Sequence, residues 1–184
     1  EYAQQLDRHF EVTAFRPAPN QFACVFADVT ERKRSTLSLR KSEEKFREFV
    51  EGTDDLITQV DRNGVLTYVN HVAEDVYALS PEECIGRSAF SFIHPDDRDR
   101  TSSWFEQLVI ARAASGSIEN RQVGQDGSVH DMLWTCNFHY NEDGGLILVN
   151  GIAADITERK RSDDALQASE EKFREFIEGS SDLI

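Results

Sequence analysis

The chain has 184 residues and a net charge of −14, from 34 acidic and 20 basic side chains. That balance argues against nucleic acid as a partner, because phosphate binding needs a basic face. A 39% hydrophobic fraction with 12 Phe belongs to a globular chain, and no apolar run approaches the ~18 residues that span a bilayer.

Only 5 of the basic residues are Lys and 15 are Arg. An acid-rich, Lys-poor surface suits a high-salt cytoplasm, where self-repulsion is screened, and a high-GC genome accounts for it equally. Cys24, Cys84 and Cys136 are scattered, with no CxxC, and read as reduced thiols of a cytoplasmic protein whose parent carries any membrane anchor elsewhere.

Residues 9–15 (HFEVTAF) and 21–29 (QFACVFADV) alternate as strands do, around a breaker of Pro17, Pro19 and Asn20. This predicts a hairpin with an unpaired edge, either frayed or docked on another surface. A helix over 30–51 follows, with Thr30 as N-cap and Glu31 in the first turn. Its stripe of Ser35, Leu39, Ser42, Phe46 and Phe49 has a 4-3-4-3 spacing, which is a coiled-coil seam. Ser in the seam weakens pairing, as a helix that shifts register requires; the alternative is that the Phe end packs on an adjacent domain.

The stretch 28–57 returns at 155–184 with 21 of 30 positions identical. Ser162, Leu166, Ser169, Phe173 and Phe176 repeat the stripe. A period of 127 residues is too long for a solenoid unit and right for one small domain with its connector. The expected plan is therefore the end of an upstream unit at 1–30, a linker helix at 31–52, a complete domain at 53–158, a second linker helix at 159–178 and the start of a further unit at 179–184. Asp155 and Arg159, at i and i+4, are expected to tie the last strand to the helix that starts at Thr157, as Asp28 and Arg32 do in the first copy.

Inside the complete unit, Leu56–Val60 and Val65–Val69 flank Asp61-Arg62-Asn63-Gly64, a strong hairpin signal. Asn70 is placed to cap a short helix through Leu79 with Ala73, Val76 and Tyr77 inward. Ser80-Pro81-Glu82-Glu83 is a capping box with Pro at the first helical position. Phe90, Phe92 and Ile93 lead to His94-Pro95-Asp96-Asp97-Arg98, the start of a longer helix over 95–114 with Trp104, Phe105, Leu108 and Val109 inward. Strands near 117–124, 129–140 and 146–156 complete the unit; Gly151 in the last one suggests close approach of a backbone or ligand. Helices grouped between two sets of antiparallel strands make this α+β, with the helices on one sheet face.

The pieces DRNGVLTYVN (61–70), SPEECIGR (80–87), FIHPDDR (92–98), RQVGQDGSVHDMLW (121–134) and GIAADITERKR (151–161) resemble, in order, a PAS domain with its trailing PAC motif. The resemblance implies a five-stranded antiparallel sheet with helices on one face, flanked by linker helices, used for sensing and dimerisation. It places such domains in a tandem array upstream of an output domain, most often a histidine kinase of a two-component system, alternatively a diguanylate cyclase or chemotaxis-type transducer. The implied role is a sensory and dimerisation module relaying change through Asp155, Thr157 and Arg159 into the linker helix.

Two readings of the interior stay open. In one, Ile57, Phe90, Phe92, Trp104, Leu108, Arg121 and Trp134 line a pocket for a small metabolite, anionic if Arg121 reaches it. In the other, these large side chains fill the core and the domain is an interaction module; the dominance of aromatics favours it. Light-oxygen-voltage flavin relatives need a reactive Cys in an Asn-Cys-Arg-Phe-Leu-Gln helix, whereas residues 86–92 read GRSAFSF. Haem relatives carry an axial His on the long helix, and 95–114 has none. Non-covalent flavin stacking on Trp104 and Trp134 competes with their use as core aromatics. His94 with Asp96 and Asp97 reads as a helix start rather than a metal or acid–base site, and the other His residues lack ligand spacing. No catalytic constellation is expected in this stretch.

Overall fold

Two stretches of alternating apolar residues, each ending in Asp-x-Thr-Glu-Arg, give two compact units, residues 1–52 and 53–184. The computed structural model describes residues 2–3 and 7–181, with side chains from 7 to 174. In the first unit β1 (Tyr2–Ala3), β2 (Arg8–Phe15) and β3 (Ala23–Asp28) form an antiparallel sheet in that order, followed by α1 (Thr30–Glu51). The expected hairpin is there, with a short third strand beside it. Thr30 is not the N-cap. It is the first helical residue; its N–H donates to Asp28 Oδ1 at 3.0 Å, and its hydroxyl accepts the His9 N–H at 2.8 Å.

The second unit runs β4 (Leu56–Asp61), β5 (Leu66–Val69), α2 (Ala73–Tyr77), α3 (Pro81–Cys84), a 3-10 turn (Ala89–Phe92), α4 (Pro95–Ile110), β6 (Ser115–Val123), β7 (Val129–Tyr140), β8 (Leu146–Asp155) and α5 (Thr157–Ser181). The strands form one antiparallel sheet in the order β5-β4-β8-β7-β6, so β4 and β8, far apart in sequence, are neighbours at its centre. The helices between β5 and β6 supply the apolar layer over one face. Side chains alternate across a strand, so Leu56, Met132, Val149 and Ala153 point into this layer and are buried.

Local signals placed the elements well. The Asp61–Gly64 turn closes with Asp61 Oδ1 accepting the Asn63 and Val65 N–H groups and Gly64 at φ +76°. The capping box is present: Ser80 Oγ accepts the Glu83 N–H, and the Glu83 carboxylate accepts the Ser80 N–H. Three further expectations needed correction. Asn70 precedes α2, which starts only at Ala73 and has no side-chain cap; the Asn70 carboxamide instead bridges the Ile57 N–H (3.0 Å) and the Asp55 carbonyl (2.9 Å). The long helix stops at Ile110, not 114, because Arg112 turns to φ +50° and the Ala113 N–H returns to the Leu108 carbonyl. The second linker helix begins at Thr157 and is continuous to Ser181, so the expected start of a further unit at 179–184 is still helical over its first three residues; 182–184 lie outside the described residues.

Candidate functional site

Three small residues on adjacent strands open the interior. Thr58 of β4 pairs with Gly151 of β8, and Gly151 with Cys136 of β7. A Cβ on Gly151 would stand 2.8 Å from Thr58 Oγ1 and 2.9 Å from the Trp134 ring, so glycine here admits two side chains, not a backbone or a ligand. Over this row Phe90, Trp104, Phe105 and Trp134 enclose a cavity of about 70 Å³.

The floor of the cavity is polar on one side. Asn120 Oδ1 accepts from Trp134 Nε1 (3.2 Å) and Gln122 Nε2 (2.7 Å), and Asn120 Nδ2 donates to Thr101 Oγ1 at 3.4 Å. Gln122 is buried, and its Oε1 has no protein partner. Burial pushes the Cys136 thiol up to about 11, so it stays protonated beside the cavity.

α4 is clamped to β6 at the rim. Asp97 Oδ2 accepts the Arg121 backbone N–H (2.8 Å) and Nε (3.0 Å), and Oδ1 accepts Nη2 (2.9 Å). His94 Nδ1 accepts the Asp96 N–H at 3.3 Å, so the His94-Pro95-Asp96-Asp97 run is a helix start held by its own side chains. The Arg121 guanidinium holds the Asp97 carboxyl well below the usual range, at about 2. A depressed carboxylate stabilises the fold above its unfolded value near 3.9, and that contribution disappears as pH falls through the folded value. Thermal melts of wild type and Asp97→Asn are therefore expected to differ by at most about 2 kcal/mol above pH 5 and to converge towards pH 2. Parallel curves across that window would show that the clamp contributes nothing.

The start of α5 is fastened to β6 and β7. The Ile156 N–H donates to the Asp131 carbonyl (2.8 Å), Thr157 Oγ1 accepts the Asp131 N–H (2.9 Å), and Asp155 Oδ1 accepts the Thr157 N–H (2.8 Å). Lys160 Nζ reaches Glu119 (2.9 Å) and Asp131 (3.0 Å), and His130 Nδ1 lies 2.8 Å from Asp155 Oδ2. Burial raises the Asp155 carboxyl, but the bonds from Thr157 and His130 outweigh it and leave the group below its usual value. The expected Asp155–Arg159 tie is replaced by these bonds. Arg159 is exposed, and the cation that holds the helix is Lys160. In the first copy Asp28 likewise pairs with Arg8, and Arg32 turns to Glu11.

A family model described as the PAS fold matches residues 50–161. The chain belongs to the PAS-fold family. Among curated proteins it is 34% identical over 151 residues to the two-component sensor PprA of Pseudomonas aeruginosa, covering 80% of this chain. It is 26% identical over 163 residues to sporulation kinase E of Bacillus subtilis, covering 88%. The chain spans 16% and 21% of the lengths of these two relatives. A crystal structure of a sensory box histidine kinase/response regulator from Burkholderia thailandensis matches with a TM-score of 0.58 at 23% identity, covering 71% of this chain and 98% of that one.

Within this PAS fold, Phe90, Trp104 and Trp134 line the cavity and the other four expected residues do not. Ile57 falls on the opposite sheet face, across from Ile152, because the strand is one residue out of the expected phase. Phe92 is buried beyond the cavity, stacked on Tyr77 with ring centroids 4.1 Å apart. Leu108 packs at the edge of the core beside Gly116, and Arg121 is engaged by Asp97 at the rim. The polar lining (Thr58, Thr101, Asn120, Gln122) went unpredicted, although Ile118, Asn120 and Gln122 share one parity in SGSIENRQV, and that alternation was the available signal. Among the described residues no cluster of His, Cys, Asp and Glu could hold a metal, and no helix is long and apolar enough to cross a membrane.

Proposed function

We propose that this chain is a cytoplasmic sensory and dimerisation segment of a sensor histidine kinase, passing conformational change from the PAS sheet into α5 and on to an output domain. The observation that carries this reading is the fastening of α5. Asp155, Thr157 and Lys160 hold the helix to β6 and β7, the same strands whose inner faces bear Asn120, Gln122 and Trp134. A shift of those strands therefore reaches the first turn of the helix without an intermediary. The named relatives, a two-component sensor and a sporulation kinase, favour a kinase output over a cyclase or a chemotaxis-type transducer.

The linker helices supply the dimer contact. Leu39, Phe46 and Phe49 on α1 and Leu166 and Phe173 on α5 are all exposed, at 62–75%, as one stripe on each helix; Phe176 lies outside the residues whose side chains are described. An apolar seam left in water calls for a partner helix. The 184-residue chain is expected to run as a dimer in light scattering, and a variant with Leu39→Glu, Phe46→Glu, Leu166→Glu and Phe173→Glu together to run as a monomer with an unchanged melting temperature. A wild-type monomer at every concentration, or a dimeric quadruple variant, would remove the dimer from the proposal.

The interior supports a filled core over a cofactor carrier. A 70 Å³ cavity is well short of the ~300 Å³ at which small-molecule sites begin, which supports an interaction module over a flavin or haem carrier. A second reading has its own observation: Gln122 Oε1 is buried without a protein partner and suits a small uncharged hydrogen-bond donor. Denaturing extraction of fresh protein that releases such a molecule, with a rise in melting temperature on adding it back, would favour that reading.

A further inference from the structure

Where the three strands of the first unit pair, they repeat the register of the last three strands of the second. Tyr2 pairs with His9 as Arg121 pairs with Asp131, and Ala3 with Arg8 as Gln122 with His130. Phe10 pairs with Asp28 as Met132 with Asp155, Val12 with Phe26 as Trp134 with Ala153, and Ala14 with Cys24 as Cys136 with Gly151. The junction bonds agree too: the Val29 N–H donates to the His9 carbonyl and the His9 N–H to Thr30 Oγ1, matching Ile156, Asp131 and Thr157.

The matched positions differ in what covers them. In the second unit Trp134 and Ala153 are buried, at 9% and 0% exposure, under the helical layer. Their counterparts Val12 and Phe26 are 42% and 66% exposed. The bulk is exchanged across the pair, Val with Phe for Trp with Ala, so the summed size is nearly kept, as in cores that conserve volume. Small residues also stand opposite each other at Ala14 and Cys24, as they do at Cys136 and Gly151.

We propose that β1, β2 and β3 are the last three strands of a second copy of this fold, and that their apolar face is covered by the segment of the parent chain immediately preceding Glu1. That segment would supply the counterpart of residues 53–119: two strands, the helical layer and the first part of the strand matching β6. The inference stands on strand register and does not depend on which output domain follows.

Cys24 reports on it directly, because it is exposed here and its counterpart Gly151 is buried. Maleimide labelling with peptide mapping should modify Cys24 rapidly in the 184-residue chain, with buried Cys84 as internal control. In the parent protein carrying the preceding segment, Cys24 should label on the order of 100-fold more slowly, since only opening of the unit would expose it. Phe26→Asp should leave the melting of the 184-residue chain unchanged and lower that of the longer protein. Equal labelling rates in both proteins would overturn the proposal. Protection of Cys24 in the 184-residue chain that grows with concentration would overturn it as well, since a second copy would then be the cover.

Discussion

Asp155→Ala is expected to disconnect α5 from the PAS sheet while the domain stays folded. The side chain holds two groups at once, the Thr157 N–H through Oδ1 and the His130 imidazole through Oδ2. Its loss removes one first-turn hydrogen bond, worth about 1 kcal/mol at a helix start, a small fraction of the stability of the domain. Coupling should suffer more than stability, because the remaining ties from Asp131 and Lys160 hold the backbone without fixing where the turn begins. Amide exchange at Thr157 should rise in the 184-residue chain. In the parent protein, output should no longer differ between its two input states. An Asp155→Ala parent that still responds fully would count against the junction as the route. Acid should act the same way: the carboxyl sits below its usual value, so its hold on the junction is complete above the unfolded carboxylate value of about 3.9 and is lost as pH falls through the lower value of the folded group.

Asn70→Ala is expected to have the largest effect on stability. The side chain is fully buried and joins the first residues of β4 to the end of β5, accepting the Ile57 N–H and donating to the Asp55 carbonyl. Alanine leaves both backbone groups without that partner, and each orphaned group costs about 1–3 kcal/mol. A loss of roughly 2–4 kcal/mol follows, which for a domain of this size lowers the melting midpoint by about 10–20 °C. Circular dichroism melts measure it, and faster exchange at the Ile57 amide places the damage. A midpoint within about 3 °C of wild type would show that water replaces the bridge without penalty.

Most of the elements could be read from local chemistry. The Asp61–Gly64 turn and the Ser80–Glu83 box depend on residues within four positions of each other, so no tertiary information was needed. The PAS resemblance followed from such pieces in order. The cavity could not be read this way. Thr58, Gly151 and Cys136 become neighbours only because β8 lies between β4 and β7. Ile57 faces away from the interior because the phase of β4 is set by its pairing with β8, which the local sequence does not carry. Arg121 read as a ligand contact because its partner Asp97 lies on another element, 24 residues earlier.

Composition, repeat period and capping signals were enough to establish an acidic α+β unit bracketed by two near-identical helical connectors, and the ordered motif pieces carried its resemblance to a PAS domain. What holds the second connector was decided by folding alone. The i, i+4 pattern pointed to Arg159, yet strand order brings His130, Asp131 and Glu119 to the start of α5, and these nearer groups take Asp155, Thr157 and Lys160. An exposed charge pair between neighbouring turns of chain gains little in water. Partners presented by a sheet already in place bind the same side chains with less ordering to supply.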